Sequence, residues 1–193
     1  MLKEGFELLE KYKIQVPKYW VNTIPKTLEF PLVVKVDLVH KTDKNAVFLD
    51  IDNFDTLLKI YDNLKRNFPD KDIIIQKQIK GNYIELIIGI KEDSIFEKIV
   101  LVGFGGIYTE ILKDYVILVP PFSKEELINS LKNLKLSKIL FGYRNRRINI
   151  DILYDILIKL INLYENEKIK EIEINPLLIN EKDAFAVDVR FSY

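Results

Sequence analysis

The sequence predicts a mixed α+β fold with two sheets, and three observations carry that prediction. Short β-branched and aromatic runs recur along the chain, amphipathic helical stripes fall between them, and the strands separate into an earlier and a later set near residues 76–81. With 48% hydrophobic and 30% charged residues, the 193-residue chain has enough apolar side chain for one good-sized domain or for two small lobes.

The elements follow from local pattern. Phe6, Leu8, Leu9 and Tyr12 recur at roughly helical spacing and predict a short amphipathic helix over 5–13. Pro17 and Pro25 then punctuate an extended, loop-like stretch. Apolar runs at 32–36 and 46–51 read as strands, with the string HKTD (40–43) in the turn between them. Asn53 or Asp55 can cap a helix whose stripe is Leu57, Leu58, Tyr61 and Leu64, closed by Pro69 and Asp70. Runs at 73–79, 83–91 and 98–102 read as an antiparallel meander, the first two joined at Gly81-Asn82. Ser123 and Glu126 form a capping-box pair opening a helix to about 133, and a longer helix runs over 149–164. Strands at 169–174 and 184–191 finish the chain around a turn at 180–183.

Composition removes several function classes. With 29 basic and 29 acidic side chains, the chain lacks the positive excess of a protein that binds nucleic acid by neutralising phosphates. Cysteine is absent, so disulfides, thiolate zinc sites and a cysteine nucleophile are ruled out. No run of about 20 uncharged residues occurs, and a soluble, cytoplasmic protein with no membrane partner is the expectation.

A few residues stand out chemically. His40 is the single imidazole, able to carry a proton, ligate a metal or accept a phosphoryl group. Lys35 lies inside an apolar strand, where an ammonium is costly unless an anion meets it. Gly103, Gly105 and Gly106 cluster after a strand, and such a loop can lie over phosphates; Glu110, Lys113 and Asp114 follow it. Glu171, Glu173 and Asn175 alternate onto one sheet face, with Asp188 on a neighbouring strand, and an amide oxygen with carboxylates suits Mg²⁺. A packed histidine, a snorkelling lysine, a tight turn and a solvated sheet face fit the same residues.

Taken together, these pieces resemble the ATP-grasp beta subunits of ADP-forming acyl-CoA synthetases, relatives of succinyl-CoA synthetase. The resemblance lies in PLVVKV (31–36) before HKTD, in the continuous stretch QKQIKGNYIELIIGIKEDSIFEKIVLVGFGGIYTEILKD (76–114), in FGYR (141–144), in EINPLLI (173–179) and in AVDVR (186–190). It covers almost the whole chain in order. It implies a single ATP-grasp domain over 1–193, with a shortened amino-terminal lobe (1–75), a carboxy-terminal lobe (76–193) and a nucleotide cleft between them. It implies that Lys35 holds nucleotide phosphates and that the hinge residues Gln76, Lys77 and Ile79 meet the adenine edge. Glu85 would contact the nucleotide, Gly103, Gly105, Gly106 and Glu110 would belong to its phosphate-covering loop, and Asn175 and Asp188 would bind Mg²⁺. His40 would relay a phosphoryl group to ADP, in the reaction acyl-CoA + ADP + phosphate = acid + ATP + CoA. The partner would be a separate CoA-binding alpha subunit, in an alpha–beta heterotetramer.

The chain departs from the family pattern at several points. Lys44-Asn45-Ala46-Val47 stands where the histidine motif usually continues Gly-Gly-Val, and the link from Lys35 to His40 lacks a Ser-Pro pair. Leu118 replaces an arginine that would be a phosphate contact, Asn145 replaces a glycine, and the stretch 23–31 is too short for an expected helix. A second reading, a diverged non-catalytic ATP-grasp nucleotide-binding or assembly subunit, therefore stays open. So does an ATP-grasp ligase that forms an acyl phosphate directly.

Overall fold

A computed structural model of the chain describes residues 2–38, 46–106 and 112–193. In chain order the first elements are α1 (Leu2–Lys11), β1 (Tyr19–Val21), β2 (Leu32–Val36), β3 (Val47–Ile51), α2 (Phe54–Asn67) and β4 (Ile73–Lys77). Then come β5 (Ile84–Asp93), β6 (Glu97–Phe104), β7 (Tyr115–Leu118), α3 (Lys124–Leu131), α4 (Ser137–Phe141), and the two-residue strands β8 (Gly142–Tyr143) and β9 (Arg146–Arg147). The chain closes with α5 (Ile150–Asn166), β10 (Glu171–Ile179), β11 (Ala184–Ala186) and β12 (Val189–Ser192). Two units result, one holding Pro17–Lys80 and the other Glu4–Val16 with Gly81–Tyr193. The expected boundary at 75/76 falls inside β4; the chain changes unit after Lys80, and most of α1 groups with the second unit.

The first unit is an antiparallel sheet in the order β1-β4-β2-β3 with α2 against β2, β3 and β4. Asn53, not Asp55, caps α2: its side chain accepts the Thr56 amide at 2.9 Å. Leu57 and Leu64 then meet Val34, Val36, Ile73 and Ile75 in one apolar cluster. The stretch 23–31 forms no helix, and Ile24, Leu28 and Phe30 pack against that cluster instead.

The second unit is a sheet in the order β11-β10-β5-β6-β7, with β12 also paired to β10. The anticipated meander of 73–79, 83–91 and 98–102 is corrected here. Both ladders of β4 are taken by β1 and β2, so β4 cannot pair with β5, and the meander is β5-β6-β7. The strand anticipated at 169–174 runs on to Ile179. Pro176 has no N–H for the ladder, and the register shifts between Ile174 and Leu177 to pass it. The strand anticipated at 184–191 is two strands, broken at 187–188. The capping box Ser123–Glu126 opens α3, and the Asn149 side chain caps α5 by accepting the Asp151 and Ile152 amides. No helix among the described residues is long and apolar enough to cross a membrane.

Strand alternation sorts this sheet into two faces. Leu86, Ile88, Val100, Val102, Ile172 and Ile174 are buried on one face, and α5 packs against β5 and β10. Glu85, Ile87, Gly103, Tyr115, Ile117 and Glu173 occupy the other. Leu157→Ala in α5, a fully buried position, is expected to cost about 2–5 kcal/mol of stability by leaving a cavity. Leu49→Ala on the exposed side of β3 should stay within about 0.5 kcal/mol. Chemical denaturation of the two variants checks the contrast.

Candidate functional site

In the first unit the register dictates a meeting of two polar side chains. Lys35 lies opposite Ile74 and Val33 opposite Gln76, so Lys35 and Gln76 are diagonal neighbours on one face of the β2-β4 pair. Their side chains touch: Lys35 Nζ donates to Gln76 Oε1 at 2.8 Å, and both residues are buried, at 5% and 2% exposure. Burial penalises the ammonium and pulls the Lys35 pKa down to about 7, against the opposing field of Asp37. Gln76 Nε2 is buried and has no hydrogen-bond partner among the described residues.

The next residues are held by their own unit. Lys77 N–H donates to the Lys18 carbonyl, and its ammonium reaches the Glu29 and Phe30 carbonyls at 2.9 and 3.1 Å. Gln78 N–H donates to the Pro31 carbonyl, while its side chain and Lys80 engage Asp50. Ile79 is half-buried just beyond the strand.

In the second unit a glycine turn lies against β5. Gly103 is inside β6, paired with Ile87 and Tyr115, and a Cβ there would sit 2.5 Å from the Asp114 carbonyl oxygen. Its missing side chain serves the approach of β7. The turn itself is Gly105-Gly106. Gly105 N–H donates to the Glu85 carbonyl at 2.8 Å, and a Cβ on Gly105 would meet the Leu86 carbonyl carbon and oxygen at 2.6 Å. Gly106 has φ +60°, and a Cβ on it would fall 1.9 Å from Glu85 Oε2. Gly106 N–H donates to Asn175 Oδ1 at 3.1 Å.

Asn175 N–H in turn donates to the Asp188 carbonyl at 3.2 Å, so Glu85, Gly106, Asn175 and Asp188 form one continuous set. Glu173, on the same strand and face as Asn175, is half-buried; desolvation raises its pKa against Arg190 opposite. No group of three or more His, Cys, Asp or Glu among the described residues could hold a metal. The donor set fits a hard cation that shares its shell with phosphate and water: an amide oxygen with a second lone pair, and a carboxylate.

His40 and Glu110 lie outside the described residues. Asp114 is buried and accepts the Lys135 and Leu136 amides at 2.9 and 3.1 Å, so its charge serves the entry to α4 and not the glycine turn. Leu118 pairs with Val100 on the buried face, opposite to Glu85, so its presence removes no group from the Glu85 face. Sequence reading missed the Gln76 side chain as the partner of Lys35; the period-2 alternation of both strands was the signal available.

A family model described as an ATP-grasp domain matches residues 2–192. The chain is 33% identical to the acetate–CoA ligase [ADP-forming] I subunit beta of Pyrococcus furiosus, covering 97% of this chain and 88% of that one. It is 30% identical to acetate–CoA ligase [ADP-forming] II of Archaeoglobus fulgidus, where it spans 97% of its own length and 29% of the relative's. Among solved structures, the dinucleotide-forming acetyl-coenzyme A synthetase 1 of Ca. Korarchaeum cryptofilum, in complex with coenzyme A and Mg-AMPPCP, matches with TM-score 0.81 and 26% identity over 100% of this chain and 91% of that one.

Gly105→Ala meets backbone and should destabilise more than Gly106→Ala, whose cost is about 1–2 kcal/mol from its left-handed φ plus displacement of the Glu85 carboxylate. In a Glu85→Ala background the displacement part of the Gly106→Ala cost should vanish, which a double-mutant cycle by thermal unfolding reads. Lys35 releases its proton near 7 in the folded chain and near its ordinary 10.5 when unfolded, so between those values the unfolded state binds more protons. Stability should therefore rise with pH across that window relative to Lys35→Met, which lacks the slope.

Proposed function

This chain belongs to the ATP-grasp family, and we propose that it serves there as the nucleotide-binding beta subunit of an ADP-forming acyl-CoA synthetase, working with a separate CoA-binding alpha subunit. The observation that carries this reading is the continuous set of Gly106, Glu85, Asn175 and Asp188, where a backbone turn without side chains is held by the Asn175 amide oxygen and Asn175 by the Asp188 backbone. The solved relative in complex with coenzyme A and Mg-AMPPCP supports a magnesium nucleotide as the occupant.

On this reading the two units are the shortened amino-terminal lobe and the carboxy-terminal lobe of one ATP-grasp domain. Lys35 is the phosphate-binding cation of the first. Gly105 and Gly106 lie over the phosphates, Glu85 contacts the nucleotide, and Asn175 and Asp188 are the oxygens that would hold Mg²⁺. When bound, Mg²⁺ neutralises charge on the phosphates. The residues 76–79 meet the adenine edge through backbone.

His40 is the phosphoryl acceptor. Its neutral imidazole attacks the phosphorus of a phosphohistidine on the alpha subunit, so one N–P bond forms as another breaks. A terminal oxygen of ADP then attacks the same phosphorus, which releases the imidazole and yields ATP. The assembly is an alpha–beta heterotetramer.

The test is reconstitution. The chain alone should make no ATP; with its alpha partner, ADP, phosphate and acetyl-CoA it should. His40→Ala should abolish turnover while Mg-ATP still raises the melting temperature. A His40→Ala complex with full activity would overturn the relay, and a melting temperature indifferent to Mg-ATP would overturn the nucleotide site.

A further inference from the structure

We propose that Gln76 sets the preference of this chain for the charged end of a nucleoside di- or triphosphate: Oε1 holds the Lys35 ammonium while Nε2 donates to the same phosphate oxygen. The inference deepens the reading above and rests on it, because it supposes that Lys35 meets a nucleotide phosphate.

Three features of the buried pair point this way. The orientation of the amide follows from its neighbour: a lysine ammonium can only donate, so the amide oxygen faces Nζ at 2.8 Å and the NH₂ group is left over. That NH₂ is buried and finds no acceptor among the described residues, in a protein interior where such donors are almost always paired. The partner is also neutral. A glutamate at 76 would bring a carboxylate against the ammonium, whereas glutamine contributes a neutral acceptor and places a second donor beside it. Asp37, the carboxylate acting on Lys35, already accepts the Leu2 amide at 2.6 Å. A buried cation beside a buried spare N–H is the complement of an oxyanion, and a ligand without an acceptor would leave the Gln76 N–H unsatisfied.

Hinge chemistry implies a different part for residue 76, since backbone groups reading a base edge are indifferent to the side chain. The side chain is committed to Lys35, on the sheet face set by the β2-β4 register. The Gln76 side chain is thus a positioning and specificity-determining group acting on phosphate.

The experiment measures binding of adenosine, ADP and ATP, each with Mg²⁺, to the full chain and to its Gln76→Glu and Gln76→Met variants, with the melting temperature of each ligand-free variant. The wild type should favour ADP over adenosine. Gln76→Glu should keep the adenosine affinity and lose roughly tenfold or more of the ADP affinity, the scale of one hydrogen bond to a charged group, while melting no lower than the wild type because the new carboxylate pairs with Lys35. Gln76→Met should lose ADP preference in the same direction. Variants that bind ADP as the wild type does, or that lose ADP and adenosine equally, would overturn the proposal while leaving the nucleotide reading intact. A wild type that binds neither ligand would overturn both. Should Gln76→Glu not fold, Gln76→Met carries the same comparison.

Discussion

The arrangement of the second unit depends on one close approach, that of the Gly105-Gly106 turn to β5. A side chain on Gly105 would strike the peptide after Glu85, and one on Gly106 would occupy the place of the Glu85 carboxylate. Because neither exists, the turn can be pinned twice by backbone donors, once to the Glu85 carbonyl and once to the Asn175 amide. The turn thereby ties β5 and β6 to β10 at the point where Pro176 interrupts the ladder. The register shift that accommodates the proline coincides with the residue that holds the turn, so the irregularity of the strand and the geometry of the candidate site have one origin.

Electrostatics divides the chemistry between the units. The first buries a cation against a neutral amide; the second collects oxygen donors and carboxylates around a glycine turn. Each arrangement is costly alone. Desolvation pulls the Lys35 pKa down and pushes the Glu173 pKa up, so in both units burial opposes the charged form. Groups held in such conditions respond strongly to a ligand of opposite charge, because binding restores what solvent no longer supplies.

Much of this was legible in the sequence because it is local. The Ser123–Glu126 box, the Asn149 start of α5, the α2 stripe and the alternation from Glu171 to Asn175 are short-range patterns, and the structure shows each of them. What was not legible depends on pairing. The Gly81-Asn82 signal reads as a hairpin, but the ladders of β4 are already filled by β1 and β2, which a run of apolar residues cannot reveal. Asp114 looked like charge for the glycine loop and is a cap for two distant amides, since its direction is set by where the chain returns at Lys135. Lys35 drew attention as a buried cation, yet its partner lies 41 residues on and emerges only from the strand register.

The same register changes the weight of the family departures. An arginine lost at 118 seemed to subtract from a phosphate site, but Leu118 pairs with Val100 and belongs to the buried face, while Glu85 and Glu173 stand on the other. The shortened stretch 23–31 likewise sends Ile24, Leu28 and Phe30 into the first core, and its carbonyls at Glu29 and Phe30 hold the Lys77 ammonium at the end of β4. That anchoring fixes the strand that carries Gln76, and through Gln76 the position of Lys35. A segment that lost its helix thus packs together with α2 on the face of β2 and β4 opposite to the Lys35–Gln76 pair. The departures at 118 and 23–31 thus fall on the packed, apolar faces of their two sheets.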